Sequence, residues 1–157
     1  MKKSVYIFLF PIFLLSCTNK LVTQNISGAG DCSYCDRHWS WSNGVATVGD
    51  VEDEYYIQNS AYFPQFNFTT KVSGDLSFSY KINDDYLGEI QITGAGVNFH
   101  AEEEPMEWTS VKAGHVNKGK KILVNGRECS IKDIIIVGNA EENKPSSPEP
   151  EKPQYDF

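Results

Sequence analysis

Two residues separate Cys32 from Cys35 in the run Asp31-Cys32-Ser33-Tyr34-Cys35. His38 follows three residues later, and Cys129 lies far down the chain. Thiolates and an imidazole at these positions suit several chemistries. A Cys-x-x-Cys pair that opens a helix is a thiol–disulfide redox site, but no helical period follows this one. Cys32, Cys35, His38 and Cys129 together are a ligand set for tetrahedral zinc, which takes thiolates and imidazoles. The simplest use is a structural disulfide from Cys129 to Cys32 or Cys35, as expected of cysteines in an oxidising compartment. Attachment of c-type haem needs a histidine directly after the second cysteine, and Asp36 and Arg37 stand in that place.

Carboxylates and aromatics supply the other candidate groups. Asp50, Glu52, Asp53 and Glu54 form an acidic cluster. Asp50, Glu52 and Asp53 are candidate ligands for calcium, which prefers several oxygens, although no EF-hand spacing is present. Glu102-Glu103-Glu104 before Pro105 reads as a solvated loop. No two carboxylates are placed as glycoside hydrolysis requires. His38, His100 and His115 are scattered, and the chain has no Gly-x-Ser-x-Gly, phosphate loop or His-Glu-x-x-His. The expectation is a protein without catalytic residues and without a cofactor, calcium or zinc being the ions that could bind. Trp39, Trp41, Tyr55 and Tyr56 are the ligand-binding candidates, because exposed aromatics stack on sugar rings and anchor protein partners. Trp39 and Trp41 share strand parity and point to one face. Tyr56 points opposite Tyr55.

Net charge narrows the partners. With 14 basic and 21 acidic side chains the chain carries −7. Nucleic acid is excluded, since clustered Lys and Arg are needed to neutralise phosphates. At the start, Lys2 and Lys3 precede the apolar run Val5–Leu15, which ends in Leu14-Leu15-Ser16-Cys17. That run is too short for a bilayer-spanning helix, which takes about 20 apolar residues. A basic head and a short apolar run are the marks of a secretory signal. Ending on Leu-x-Ser-Cys, the segment resembles a bacterial lipoprotein signal. The resemblance implies cleavage after residue 16, acylation of Cys17 and anchoring of the mature protein to the cell envelope. Thr18 after the cysteine, rather than Asp, favours the outer membrane by the enterobacterial rule.

The elements that must position these groups read as strands. Leu21–Ile26 is the first. Asn43-Gly44 marks a hairpin between Trp39–Trp41 and Val45–Val48. Glu54–Asn59 is a further strand. Gln65–Val72 and Asp75–Ile82 alternate apolar and polar residues and are joined tightly at Ser73-Gly74, so each is half-buried. Tyr86–Ile92, Val97–His100, Met106–Lys112 and Lys121–Asn125 follow, with turns at Gly94–Gly96 and Asn125-Gly126. Ile131–Val137 is a continuous apolar run, which suits a strand covered on both faces. Asn139–Phe157 carries four prolines and few aliphatic residues, so it is expected to be a disordered acidic tail. Short strands at this spacing indicate an all-β sandwich over residues 21–138.

Three stretches carry a second resemblance. Trp41-Ser42-Asn43-Gly44-Val45, Gly74–Lys81, and Trp108 followed by Gly119-Lys120-Lys121-Ile122 and Ile131–Ile136 resemble bacterial jelly-roll domains of the galactose-binding-like, carbohydrate-binding and MAM type. Lys132 stands where those domains commonly carry Asp, so a calcium site is not carried over there. The resemblance implies a jelly-roll β-sandwich of about eight to ten antiparallel strands. It also implies that the first and last strands are neighbours, which would bring the Cys32/Cys35 loop near Cys129. The functional expectation is an envelope-anchored, non-catalytic module that binds a glycan or an envelope protein. The alternative is a structural or accessory subunit of an envelope complex.

Overall fold

The computed structural model describes residues 19–51 and 63–146. Eleven strands run through them: β1 (Leu21–Ile26), β2 (Tyr34–Cys35), β3 (Trp39–Ser42), β4 (Val45–Val48), β5 (Gln65–Thr69), β6 (Gly74–Ile82), β7 (Glu89–Gly94), β8 (Val97–Glu102), β9 (Thr109–Val116), β10 (Lys121–Arg127) and β11 (Cys129–Asn139). They form two antiparallel sheets. The front sheet has the order β3-β4-β11-β6-β9, with β1 also paired to β11. The back sheet has the order β2-β5-β10-β7-β8. From β4 onward, the four-strand layers β4-β11-β6-β9 and β5-β10-β7-β8 have the strand order of a jelly roll. The expected all-β sandwich is what the chain forms, and the expected neighbours β1 and β11 pair from Leu21↔Asn139 to Ile26↔Ile134.

The core lies between the sheets and follows strand parity. Leu76, Phe78, Tyr80 and Ile82 on β6 face Phe66 and Phe68 on β5, Ile90 and Ile92 on β7, and Ile122 and Val124 on β10; all are buried. Aromatics pack edge to face in two groups. Trp39 and Trp41 stand 4.9 and 5.3 Å from the Phe66 ring, and Phe99 stands 5.2 and 5.0 Å from Phe78 and Tyr80. Gln24, buried on β1, braces the two sheets. Its Nε2 donates to the Thr69 carbonyl at 3.0 Å, and its Oε1 accepts from Lys71 N–H at 2.6 Å. A buried amide with both ends paired avoids the penalty of an unsatisfied polar group.

Local chemistry explains where the strands differ from expectation. Asn43 and Gly44, with φ of 50° and 76°, make the two-residue hairpin turn between β3 and β4 as expected. Asn125-Gly126 is not a turn but lies inside β10, between β5 and β7. Gly126 is required there for another reason, since a Cβ would run into the Cys129 sulfur. The reversal falls instead at Glu128, whose φ is 47° and whose N–H donates to Gly49 carbonyl at 3.1 Å. Ser73-Gly74 does not close a hairpin, because β5 and β6 belong to different sheets. Ile131–Val137 is not a plain two-sided strand. The ladder between β11 and β6 shifts register between Lys132 and Ile135, and Asp133 there has φ of 52°. The extra residue lets Ile131, Ile134 and Ile136 all reach the core.

The folded unit also runs past the boundary expected at residue 138. Ala140 N–H donates to Lys20 carbonyl at 2.8 Å. Asn143 pairs twice with Ser73, accepting from its N–H at 2.7 Å and donating to its carbonyl at 2.9 Å. The expected strand Glu54–Asn59 and residues 147–157 of the expected tail lie outside the described residues.

Candidate functional site

The cysteines are not joined as expected. Cys32, Cys35 and Cys129 are all free thiols. The chain after β1 leaves the front sheet, and Cys35 pairs with Phe66 on the back sheet. The loop before it is closed by Asp31, whose carboxylate accepts from the N–H groups of Ser27 (2.8 Å) and Gly28 (3.1 Å). Those bonds hold the Asp31 carboxyl below the usual carboxylate range. Cys32 and Cys35 interact with each other. Burial, then the neighbouring Cys35, push the Cys32 thiol up to about 12. Cys129 is wholly buried in the core, and burial pushes its thiol well above the ordinary range. Zinc on Cys32, Cys35, His38 and Cys129 is likewise not assembled: among the described residues only Glu89, His100 and Glu102 bring three potential ligand atoms together.

This arrangement predicts selective reactivity, since the thiolate is the nucleophile. In native protein treated with iodoacetamide and mapped by mass spectrometry, Cys129 should stay unmodified until the domain is unfolded. Rapid native labelling of Cys129 would contradict its place in the core.

The tryptophans expected as a platform serve the interior. Trp39 is 4% exposed, and its Nε1–H donates to the Pro64 carbonyl at 2.9 Å. Trp41 is half-buried on the same face, as its parity requires, with its Nε1 enclosed. Both point inward because β3 extends the front sheet, and its core face lies opposite Phe66. Tyr55 and Tyr56 lie outside the described residues, as do Glu52 and Asp53; Asp50 is exposed. Cys17 also lies outside them.

Among the described residues the exposed aromatics are Tyr34, Tyr86 and Trp108, and the tryptophan lies on the outer face of the front sheet. Trp108, 37% exposed, immediately precedes β9, and Lys81 on β6 and Lys132 on β11 lie under its reach. The Nζ atoms of Lys81 and Lys132 stand 5.3 and 4.4 Å from the indole centroid. Such cation–π contacts each contribute on the order of 0.5–1 kcal/mol at exposed sites. The outward positions of adjacent strands meet in register as hydroxyl pairs, in which Ser79 and Ser130 are themselves buried. Thr47 pairs with Ser130, and Ser79 with Ser110, each hydroxyl pair at 3.0 Å. Asn83 Nδ2 donates to Ser130 Oγ at 2.9 Å.

A polar cavity adjoins this face. β4 pairs with β11 over Cys129–Lys132, and β1 pairs with β11 over Ile134–Asn139. Asp133, at the bulge, pairs with neither. The gap between β1 and the β3–β4 turn is a cavity of about 290 Å³, lined by Asn25, Ser27, Asn43, Lys132 and Asp133 among others. Lys132 therefore belongs both to the cavity wall and to the Trp108 cluster. Together these groups form an amphipathic platform: one ring face, two cations, the Asp133 carboxylate, and amides and hydroxyls able to donate or accept. No group on it resembles an activated nucleophile or a paired acid and base.

The site residues missed by sequence reading were partly legible. Lys81 falls on the outward side of the Ser77, Ser79, Lys81 alternation. Trp108 could not be placed beside it without the β6/β9 register, in which Tyr80 faces Thr109.

Fold and site define a jelly-roll β-sandwich with a polar, aromatic-centred outer face. Among solved structures, the chain is similar to the GH26-CBM35 β-(1,4)-mannanase of Podospora anserina (16% identity, TM-score 0.40, covering 83% of this chain and 29% of that one). It is also similar to a ruminal GH26 endo-β-1,4-mannanase (20% identity, TM-score 0.35, covering 76% and 26%). The chain thus spans less than a third of either protein, and likeness at this level carries no argument about ligand or activity. No family model and no curated protein matches the sequence.

Proposed function

We propose that this protein is a lipid-anchored envelope protein whose sandwich binds a glycan, without catalysis, on the outer face of its front sheet. The observation that carries the glycan reading is Trp108, exposed on a sheet face that also carries Lys81, Lys132 and side-chain hydroxyls. Sugars present an apolar C–H face, which rests on an aromatic ring, and an equatorial fringe of hydroxyls, which pairs with groups such as these. Lys81 and Lys132 beside the ring favour a saccharide with a carboxylate or other anionic substituent. The overall charge of −7 does not oppose this, because charges beyond about 8–10 Å are largely screened at physiological salt.

The test is a panel of soluble polysaccharides, neutral and uronate-containing, measured by affinity electrophoresis and calorimetry. Uronate-containing chains should bind, and rising salt should weaken them more than any neutral binder. If no polysaccharide in either class is retained, the glycan reading fails.

The anchor rests on Lys2, Lys3, the apolar run Val5–Leu15 and Cys17. Two or more acyl chains there would hold the protein stably to a bilayer, as one chain alone does not. Labelled palmitate should enter the wild-type protein and not a Cys17→Ser variant. Equal labelling of both, or of neither, removes the anchor from the proposal.

A further inference from the structure

On the back sheet, away from the Trp108 face, β7 and β8 form a hairpin with its turn at Ala95-Gly96. Its ladder sets Glu89 directly opposite Glu102 and Gln91 opposite His100. These four residues share the outward face, since Ile90 and Ile92 fill the core. Like charges directly opposed across an antiparallel pair are destabilising. Here the two carboxylates converge on a single atom. His100 Nε2 lies 2.9 Å from Glu89 Oε1 and 3.1 Å from Glu102 Oε1. One ring N–H can serve only one acceptor well, so the second carboxylate on this exposed face is left to water. A shared cation would satisfy all three atoms at once.

We infer that Glu89, His100 and Glu102 form a binding site for a divalent transition-metal ion, with zinc the best match. The three ligand atoms lie within 4.8 Å of one another. Tetrahedral zinc with bonds of about 2.0–2.1 Å sets its ligand atoms about 3.3 Å apart, close to the two imidazole–carboxylate spacings of 2.9 and 3.1 Å. One imidazole and two carboxylates suit zinc rather than calcium, which takes six to eight oxygens. Gln91 Nε2 donates to Glu89 Oε1 at 3.1 Å and holds that carboxylate in orientation. Such outer partners typically change metal affinity about 10–100-fold. Glu89 and Glu102 also line a polar cavity of about 130 Å³, with Tyr86, Glu103 and Arg127 in its wall. Three protein ligands leave a fourth position for water or an exogenous oxygen. The site is independent of the glycan reading, since it uses the opposite sheet and none of the same residues.

The test titrates the full chain with zinc chloride by calorimetry and follows thermal unfolding. One zinc ion per chain should bind and raise Tm by a few degrees at saturation. Affinity should fall about 100-fold in His100→Ala and in the isosteric Glu102→Gln, and about 10-fold in Gln91→Ala. A Cys32→Ser/Cys35→Ser double variant should bind as the wild type does. Circular dichroism of each variant reports whether it folds, and Glu102→Gln keeps the test decisive if His100→Ala does not. A silent titration overturns the site. So does unchanged affinity in folded Glu102→Gln, or loss of binding only in the cysteine variant.

Discussion

Trp39→Ala should destabilise the domain by about 4 kcal/mol, the range expected when a buried tryptophan or phenylalanine is cut to alanine. Three effects add in the same direction. The indole fills the space between β3 and the back sheet, where it meets the edge of Phe66 and the backbone of Gly126. Its removal leaves a void that Phe66, held between β2 and β10, cannot collapse into. It also removes the Nε1–H bond to the Pro64 carbonyl, worth about 1 kcal/mol, although that carbonyl keeps its bond from Gly126 N–H at 3.2 Å. Against a total stability of about 5–15 kcal/mol, this is a large share. Urea unfolding followed by circular dichroism should show the midpoint fall sharply. Trp39→Phe, which keeps most of the volume and loses the hydrogen bond, should sit between the two. A change below about 1 kcal/mol for the alanine variant would show that Trp39 is not seated in the core. It would then return to the list of binding residues.

Trp108→Ala should do the reverse: abolish recognition and leave the fold intact. Truncating a central aromatic anchor costs about 2 kcal/mol or more of binding free energy, roughly 30-fold in Kd. Stability should fall by only about 1–2 kcal/mol, the loss of two exposed cation–π contacts. Lys132→Met should weaken anionic polysaccharides and spare neutral ones. Lys132 reaches both the indole and the polar cavity, so this variant separates charge recognition from stacking. Calorimetry with the best polysaccharide of the panel measures both, and a melting curve controls for folding. Wild-type affinity in a folded Trp108→Ala protein would move the binding face elsewhere on the sandwich.

The two tryptophan predictions differ because identical side chains meet different surroundings, and that difference was only partly visible in the chain. Trp39 and Trp41 are two residues apart, so their common face followed from strand geometry alone. Which way that face turned did not. Among the described residues β3 pairs only with β4, and its inward side is defined by Phe66 on the other sheet, 27 residues beyond Trp39. Trp108 falls within the expected strand Met106–Lys112, but the strand starts at Thr109 and leaves it just outside. Its role comes from Lys81 and Lys132 on two neighbouring strands, brought beneath it by the β6/β9 and β6/β11 ladders.

The histidines make the same point. His100 was one of three scattered histidines, and Glu102 belonged to a run of acids before a proline. The β7–β8 hairpin was legible from Gly94-Ala95-Gly96, and once its turn is placed the pairing Glu89↔Glu102 follows by counting. The cysteines went the other way. A bridge from Cys129 looked natural because the first and last strands are neighbours, and they are. The chain then crosses to the back sheet before Cys35, while Cys129 stays enclosed beside Trp39 and Gly126.

By itself the sequence determined what depends on short-range physics: the alternation that makes β5 and β6 strands, the Asn43-Gly44 hairpin, and a two-sheet architecture without long helices. These follow from steric preferences and from burying one face of each strand, and neither needs distant partners. Tertiary structure alone decided which face of each strand meets the core, where β11 bulges at Asp133, and which side chains from separate strands converge. Strand register sets those outcomes, and register is settled by all the ladders together: a shift of one residue turns every side chain to the opposite face.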